Sequence, residues 1–134
     1  MIQPLLIFGN WAILALRVVL GLILMRHGLP KLKSLKKTGG WFEGVGFRPG
    51  VFWALVGGII EYVGGLAIVL GFLTQLAAVF IAFEFAIILV FFRKSRMFTK
   101  EAEIDWLILA MALAAATLGS GLLSLEGYWG LILF

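Results

Sequence analysis

Residues 51–92 read VFWALVGGIIEYVGGLAIVLGFLTQLAAVFIAFEFAIILVFF, and Glu61 and Glu84 are the only charged side chains among them. Crossing the ~30 Å hydrocarbon core of a bilayer takes about 20 predominantly apolar residues, and this run divides into two such segments, 51–72 and 73–92. They meet at Gly71, Phe72, Leu73 and Thr74, a turn short enough to force antiparallel contact. The stretch is predicted to be a transmembrane hairpin, and the rest of the chain is read around it.

Outward from the hairpin, residues 5–25 and 104–123 form two further apolar stretches of spanning length. The expected fold is an all-α integral membrane protein, a bundle of four transmembrane helices at about 5–25, 51–72, 73–92 and 104–123, in one domain over 1–134. Composition agrees: 63% of the 134 residues are hydrophobic, 13% are charged and the mean hydropathy is +1.11, far from soluble averages. The first stretch has no basic segment before it and no small-x-small cleavage pattern after it, so it is expected to be a retained helix and not a signal peptide.

The net charge of +4 does not point to nucleic acid, because every basic residue except Arg17 falls in two short segments. Arg26, Lys31, Lys33, Lys36, Lys37 and Arg48 lie between the first and second spans, and Arg93, Lys94, Arg96 and Lys100 between the third and fourth. With four spans both segments fall on one side. The positive-inside rule then predicts a multi-pass protein of the cell (inner or cytoplasmic) membrane, with basic loops cytoplasmic and both termini external. Trp41, Phe42, Val45 and Phe47 alternate with glycines in the first connection, a pattern expected of an interfacial or partly re-entrant segment. The connection from Arg93 to Glu103 reads as a solvated turn. Tyr128 and Trp129 fit an aromatic belt at the outer surface.

Small residues forecast the helix interfaces, since membrane helices associate where backbones approach closely. Gly57, Glu61, Gly64, Gly65 and Ile68 share a face of the second span; Ala78, Ala82 and Ala86 make a stripe on the third; Asp105, Ala112, Ala116, Gly119 and Ser120 do so on the fourth. On the first span, Asn10, Arg17, Gly21, Leu24 and Gly28 form a polar and small stripe.

Charges inside a bilayer cost about 3 kcal/mol each at a helix centre, so they face the bundle interior and find partners. Counted from the cytoplasmic ends of the predicted spans, Arg17 and Glu84 lie roughly 12 Å deep and Glu61 slightly deeper, at 1.5 Å per residue. The leading expectation is an Arg17–Glu61 pair. That leaves Glu84 to be protonated, paired with Lys31 or His27, or turned toward a cavity, and makes Glu61 and Glu84 the proton-relay candidates. His27, Lys31, Glu101, Glu103 and Asp105 are expected to form a second, shallower layer at the cytoplasmic mouth. The binding candidates are thus Arg17, His27, Lys31, Glu61, Glu103 and Asp105. The chain has no cysteine and a single histidine, so no metal, haem or iron–sulfur site and no covalent cofactor is expected within it.

The residues also resemble the DoxX family of small four-helix membrane proteins. The resemblance rests on Leu16-Arg17-Val18 with Gly21, on His27-Gly28 with Lys31, on Trp41-Phe42 and Gly46, and on Glu61 with Gly64-Gly65 and Gly71. It continues through Glu103 and Gly119-Ser120-Gly121 to Ser124-Leu125-Glu126. The family usually has proline between the late glycines and aspartate after Ser-Leu, where this chain has Ser120 and Glu126. Some relatives are named as subunits of quinone-linked oxidoreductases, so the resemblance implies a quinone-linked redox or respiratory-complex accessory subunit with a buried Arg/Glu site. Quinone is the cofactor it implies. The implied partners are the lipid bilayer, a soluble or membrane redox subunit and further copies of the chain. Two other readings use the same residues: a non-enzymatic assembly factor, chaperone or small-lipid binder, and a path for protons or small ions.

Overall fold

A computed structural model describes residues 3–96 and 98–129. Among them the architecture is all-helical. A 3-10 turn, Pro4–Phe8, leads into α1, Gly9–Lys33; α2 covers Leu35–Gly44 and α3 Gly50–Leu70. Helix α4, Thr74–Ile87, continues as a π-helical turn over Ile88–Arg93, and α5, Lys100–Leu118, precedes the short α6, Leu125–Trp129. The predicted hairpin is α3 and α4, joined at Gly71, whose φ of +71° lets the chain leave the helix in the left-handed conformation.

Among the described residues three helical stretches are long and apolar enough to cross a membrane: Pro4–Lys33, Gly50–Leu70 and Thr74–Arg93. This is a multi-pass helical membrane protein. The predicted fourth span corresponds to α5, which starts and ends earlier than 104–123 and carries Lys100, Glu101, Glu103 and Asp105 in its first half, so it falls short of the other three by composition. Gly119 (φ +75°) ends it, which puts Ser120 in a loop and off the predicted helix face.

The elements run antiparallel in sequence order, so the bundle has a basic end and a turn end. At the basic end the connection between α1 and α3 reaches the end of α4, where the Trp41 and Phe92 ring centroids are 4.5 Å apart. At the turn end Glu126 N donates to Gly71 O at 3.2 Å. Tyr128 is exposed there, while the Trp129 side chain and residues 130–134 of the expected aromatic belt lie outside the described residues.

Backbone contact between α1 and α3 depends on glycines at a seven-residue spacing. A Cβ on Gly28 would lie 2.7 Å from Tyr62 N and 2.9 Å from Gly58 O, and one on Gly65 would lie 2.7 Å from Gly21 O. No side chain fits at such separations, and close backbone packing is what holds helices together where lipid is as apolar as leucine. The neighbouring face of α3 turns to α4: Gly64 meets Ile81, and Gly57 meets Glu84. Ala78, Ile81, Phe85, Ile108 and Ala112 complete the interior between α4 and α5, while Phe83, Val63 and Leu107 point outward as lipid-facing side chains do.

The first connection is not a free linker. Helix α2 buries Gly39 and Phe42, and Glu43 Oε1 accepts the Gly50 N–H at 3.2 Å, capping the first turn of α3. Phe47 then stacks on Phe92 at 5.5 Å and meets Trp53 edge-on at 5.9 Å. The wide π turn at the end of α4 brings Phe91 and Phe92 against this cluster.

Candidate functional site

Three charged side chains from three helices meet toward the basic end. Lys31 Nζ, from the last turn of α1, lies 2.7 Å from Glu61 Oε1 on α3 and 3.5 Å from Glu84 Oε1 on α4. Their side chains retain 15%, 1% and 12% of their exposure. Each has a small neighbour: a Cβ on Gly28 would sit 3.0 Å from Glu61 Cβ, the Lys31 stem runs past Gly58, and a Cβ on Gly57 would sit 2.8 Å from Glu84 Oε1. Two carboxyls share one ammonium, and the second oxygen of each, Glu61 Oε2 and Glu84 Oε2, is buried with no hydrogen-bond partner among the described residues. An unsatisfied buried acceptor costs about 1–3 kcal/mol, and a proton held by one of the two carboxyls supplies a donor that the single ammonium does not.

Glu84 also lines a cavity of about 250 Å³ between α3 and α4. Every other lining side chain is aromatic or aliphatic apart from Gly57, with Phe42, Phe47 and Phe92 as a roof and Trp53, Phe80 and Phe83 as walls. Phe80 and Phe83 are themselves more than half exposed, so the rim faces lipid. The roof comes from the aromatic–glycine alternation over 41–50 and from Phe92.

Arg17 does not pair with Glu61. It is buried at the turn end, where Nη1 donates to Ile68 O and Val69 O, both at 3.3 Å, and Nη2 donates to Leu123 O. The depth estimate places α1's cytoplasmic end near residue 25, where hydropathy falls. The helix instead continues through Pro30 to Lys33, which carries Arg17 roughly 24 Å from that end at 1.5 Å per residue and brings Lys31 to the level of the acids. At its true level Arg17 holds the orphan carbonyls ending α3, where a cation is favoured. Across the same turn Glu126 Oε1 accepts the Leu73 N–H at 2.6 Å, at the start of α4, where an anion is favoured.

The shallower layer divides as well. Arg93 Nε lies 2.9 Å from Asp105 Oδ2 and Nη1 lies 3.4 Å from Glu101 Oε2, which joins the end of α4 to the start of α5. Glu103 is exposed. His27 Nδ1 lies 2.8 Å from Ile23 O on its own helix, so that nitrogen is the protonated donor. The structure thus brings Lys31, Glu61 and Glu84 together and leaves Arg17, Glu103 and Asp105 elsewhere.

The DoxX family profile matches residues 12–94, which contain the whole Lys31–Glu61–Glu84 cluster. The chain belongs to the DoxX family. Over 115 residues this DoxX protein is 30% identical to "Putative oxidoreductase CatD" of Bacillus subtilis (strain 168), a match covering 86% of this chain and 84% of that protein. Over 72 residues it is 33% identical to "Uncharacterized membrane protein Rv3486" of Mycobacterium tuberculosis (strain ATCC 25618 / H37Rv), covering 53% of this chain and 44% of that protein. No solved structure matches the chain. The motif residues of this DoxX protein separate spatially into two groups: Lys31 and Glu61 beside the cavity, and Arg17, Gly71, Ser124 and Glu126 around the turn between α3 and α4.

Proposed function

We propose that this DoxX protein is a quinone-binding accessory subunit of a membrane oxidoreductase, holding the quinone ring in the cavity between α3 and α4. The observation that carries this reading is the aromatic-lined cavity of about 250 Å³ with the Glu84 carboxyl in its wall and Lys31 and Glu61 behind it. Its volume lies just under the ~300–1,000 Å³ that encloses a drug-sized ligand. One substituted ring fits, with its tail among the acyl chains past Phe83. A carboxyl at the ring's edge is the group that moves a proton when a quinone changes redox state. The chain has no cysteine and one histidine, so electrons come from a partner subunit, and the relative named as an oxidoreductase supports that setting.

In this reading α5 is the fourth span. Arg93 offsets Asp105 and Glu101 at its entrance, and Lys100 and Glu103 lie in its first turn, at headgroup depth. The basic end then faces the cytoplasm across the cell membrane.

The test is purification in mild detergent followed by solvent extraction and gel analysis. A quinone absorbance band approaching one per chain is expected, together with a redox-active partner. An extract without quinone from a preparation holding a stoichiometric, redox-inert partner would favour the assembly-factor reading instead.

A further inference from the structure

We propose that α2 is a docking element for anionic phospholipid headgroups, and that the charge of the lipid decides how firmly this helix holds the roof of the cavity.

Cations are in surplus around α2. Lys33, Lys36, Lys37 and Arg48 are exposed, and none of them forms an ion pair among the described residues. Acids at this end are mostly committed: Glu43 accepts the Gly50 N–H, and Glu101 and Asp105 hold Arg93. The loop after α4 adds Lys94 and Arg96, exposed and unpaired in the same sense.

Their setting selects the partner. Helix α2 connects the ends of two stretches long enough to cross a bilayer, Pro4–Lys33 and Gly50–Leu70, so it lies at the bilayer surface. Its buried residues, Gly39 and Phe42, face the protein, while Lys36, Lys37 and Gly40 are exposed and Trp41 is 46% exposed. Basic residues beside an accessible tryptophan are suited to the boundary between headgroups and acyl chains. Phe98, 91% exposed, repeats the combination close to Arg96. An acidic protein surface would satisfy the cations but gives the two aromatic rings no apolar medium; a leaflet of anionic lipid does both.

Helix α2 needs such support. It has ten residues, fewer than the about 12–15 below which an isolated helix is marginal in water. Gly39 and Gly40 stand in its middle, and glycine is the poorest helix former after proline. Packing requires the first, since a Cβ there would lie 2.8 Å from Val51 N; the second has nothing within 4 Å, so its cost brings no contact. From inside, the helix is held by the Glu43–Gly50 bond and by Phe42 against Phe92, with ring centroids 5.0 Å apart. From outside, headgroups drawn to Lys36 and Lys37 hold it, and with it Phe42 in the cavity lining.

Hydrogen–deuterium exchange with mass spectrometry tests this on the full chain in two kinds of nanodisc. One is phosphatidylcholine alone, the other an equal mixture with phosphatidylglycerol. Amides of residues 35–44 report α2, and residues 118–128, at the other end of the bundle and without a basic side chain, are the internal control. Two lysines attracted to an anionic leaflet should slow exchange in α2 roughly tenfold in the mixture. The control should not change, and high salt should shrink the difference. Lys36→Gln combined with Lys37→Gln should bring the two lipids to within about twofold of each other.

Equal exchange of α2 in both lipids overturns the proposal. So does equal slowing of α2 and the control, which is a general lipid effect, and so does a double variant that keeps the full difference. Slowing by polyglutamate added to phosphatidylcholine discs, with none from phosphatidylglycerol, would assign the surface to an acidic protein instead. No ring ligand is present in these measurements, so their outcome is separate from that of the quinone test.

Discussion

Lys31 Nζ and Glu61 Oε1 stand 2.7 Å apart, yet the two residues are thirty positions apart in sequence and belong to different helices. Their contact joins α1 to α3 beside the glycine seam, where Gly28 lies against Gly58 and Tyr62. Backbone approach and ion pair are therefore one arrangement: the seam brings the helices close enough for a lysine to reach a carboxyl that is 1% exposed.

Removing the cation should reveal this pairing. Breaking a buried pair by deleting one partner typically costs about 3–5 kcal/mol, because the other charge is stranded. Lys31→Met should lower thermal stability in detergent by that order, and adding Glu61→Gln should recover a large part of it. Arg17→Met with Glu61→Gln should instead be additive, since those residues sit at different levels of the bundle. Recovery in the Arg17 double variant and none in the Lys31 one would reverse the assignment.

The seam can be probed without touching charge. An alanine at Gly28 puts a methyl carbon within 3 Å of the α3 backbone, and overpacking of that kind costs about 1–3 kcal/mol. Gly40 has nothing within 4 Å of a Cβ, so alanine there should change stability by less than about 0.5 kcal/mol. Chemical or thermal unfolding of the two variants side by side measures the contrast; equal effects would mean that α1 and α3 do not meet at Gly28.

At the turn end, Glu126→Ala removes the acceptor of the Leu73 N–H and an anion from the start of α4. The loss of such a cap is typically about 1 kcal/mol. Gly71→Ala should cost more, since its φ of +71° disfavours a side chain and a Cβ there would run into Arg17 Nη1 and Ser124 Cβ. Ligand affinity of the cavity should stay unchanged in Glu126→Ala, as the two sites lie at opposite ends; a parallel loss of binding would tie them together.

Membrane orientation is checked by reporter fusions. Insertions after Lys36 and Ser95, both in the basic segments, should report cytoplasmic, and a fusion at the C-terminus external. The opposite pattern would turn the cavity's basic end outward while leaving the bundle as described.

The α3–α4 hairpin was legible because its two signals are local: uninterrupted apolar length and a glycine at the turn. The glycine faces of α3 were legible in kind, since small residues mark close approach, though sequence does not say that Gly58 and Gly65 serve α1 while Gly57 and Gly64 serve α4. Arg17 was misplaced because hydropathy locates the end of an apolar run and not the end of a helix, and α1 keeps its hydrogen bonding well beyond Arg26. That one boundary shifted every estimate of depth on α1. Glu126 went unrecognised as a cap because its partner, Leu73, is fifty-three residues away, and only the folded chain brings them together. The roof of the cavity escaped notice for the same reason: Phe42, Phe47 and Phe92 come from separate elements.

The lipid-facing rim at Phe80 and Phe83 changes what concentration means for this protein. A cavity that opens sideways into acyl chains samples a two-dimensional reservoir, so its occupancy follows the number of ligand molecules per lipid. Diluting a vesicle suspension with buffer leaves that ratio, and hence the occupancy, as it was for any ligand that stays in the bilayer. Fusing the same vesicles with ligand-free ones lowers it. Any affinity measured for it belongs on a mole-fraction scale, and values from membranes of different lipid content become comparable only there.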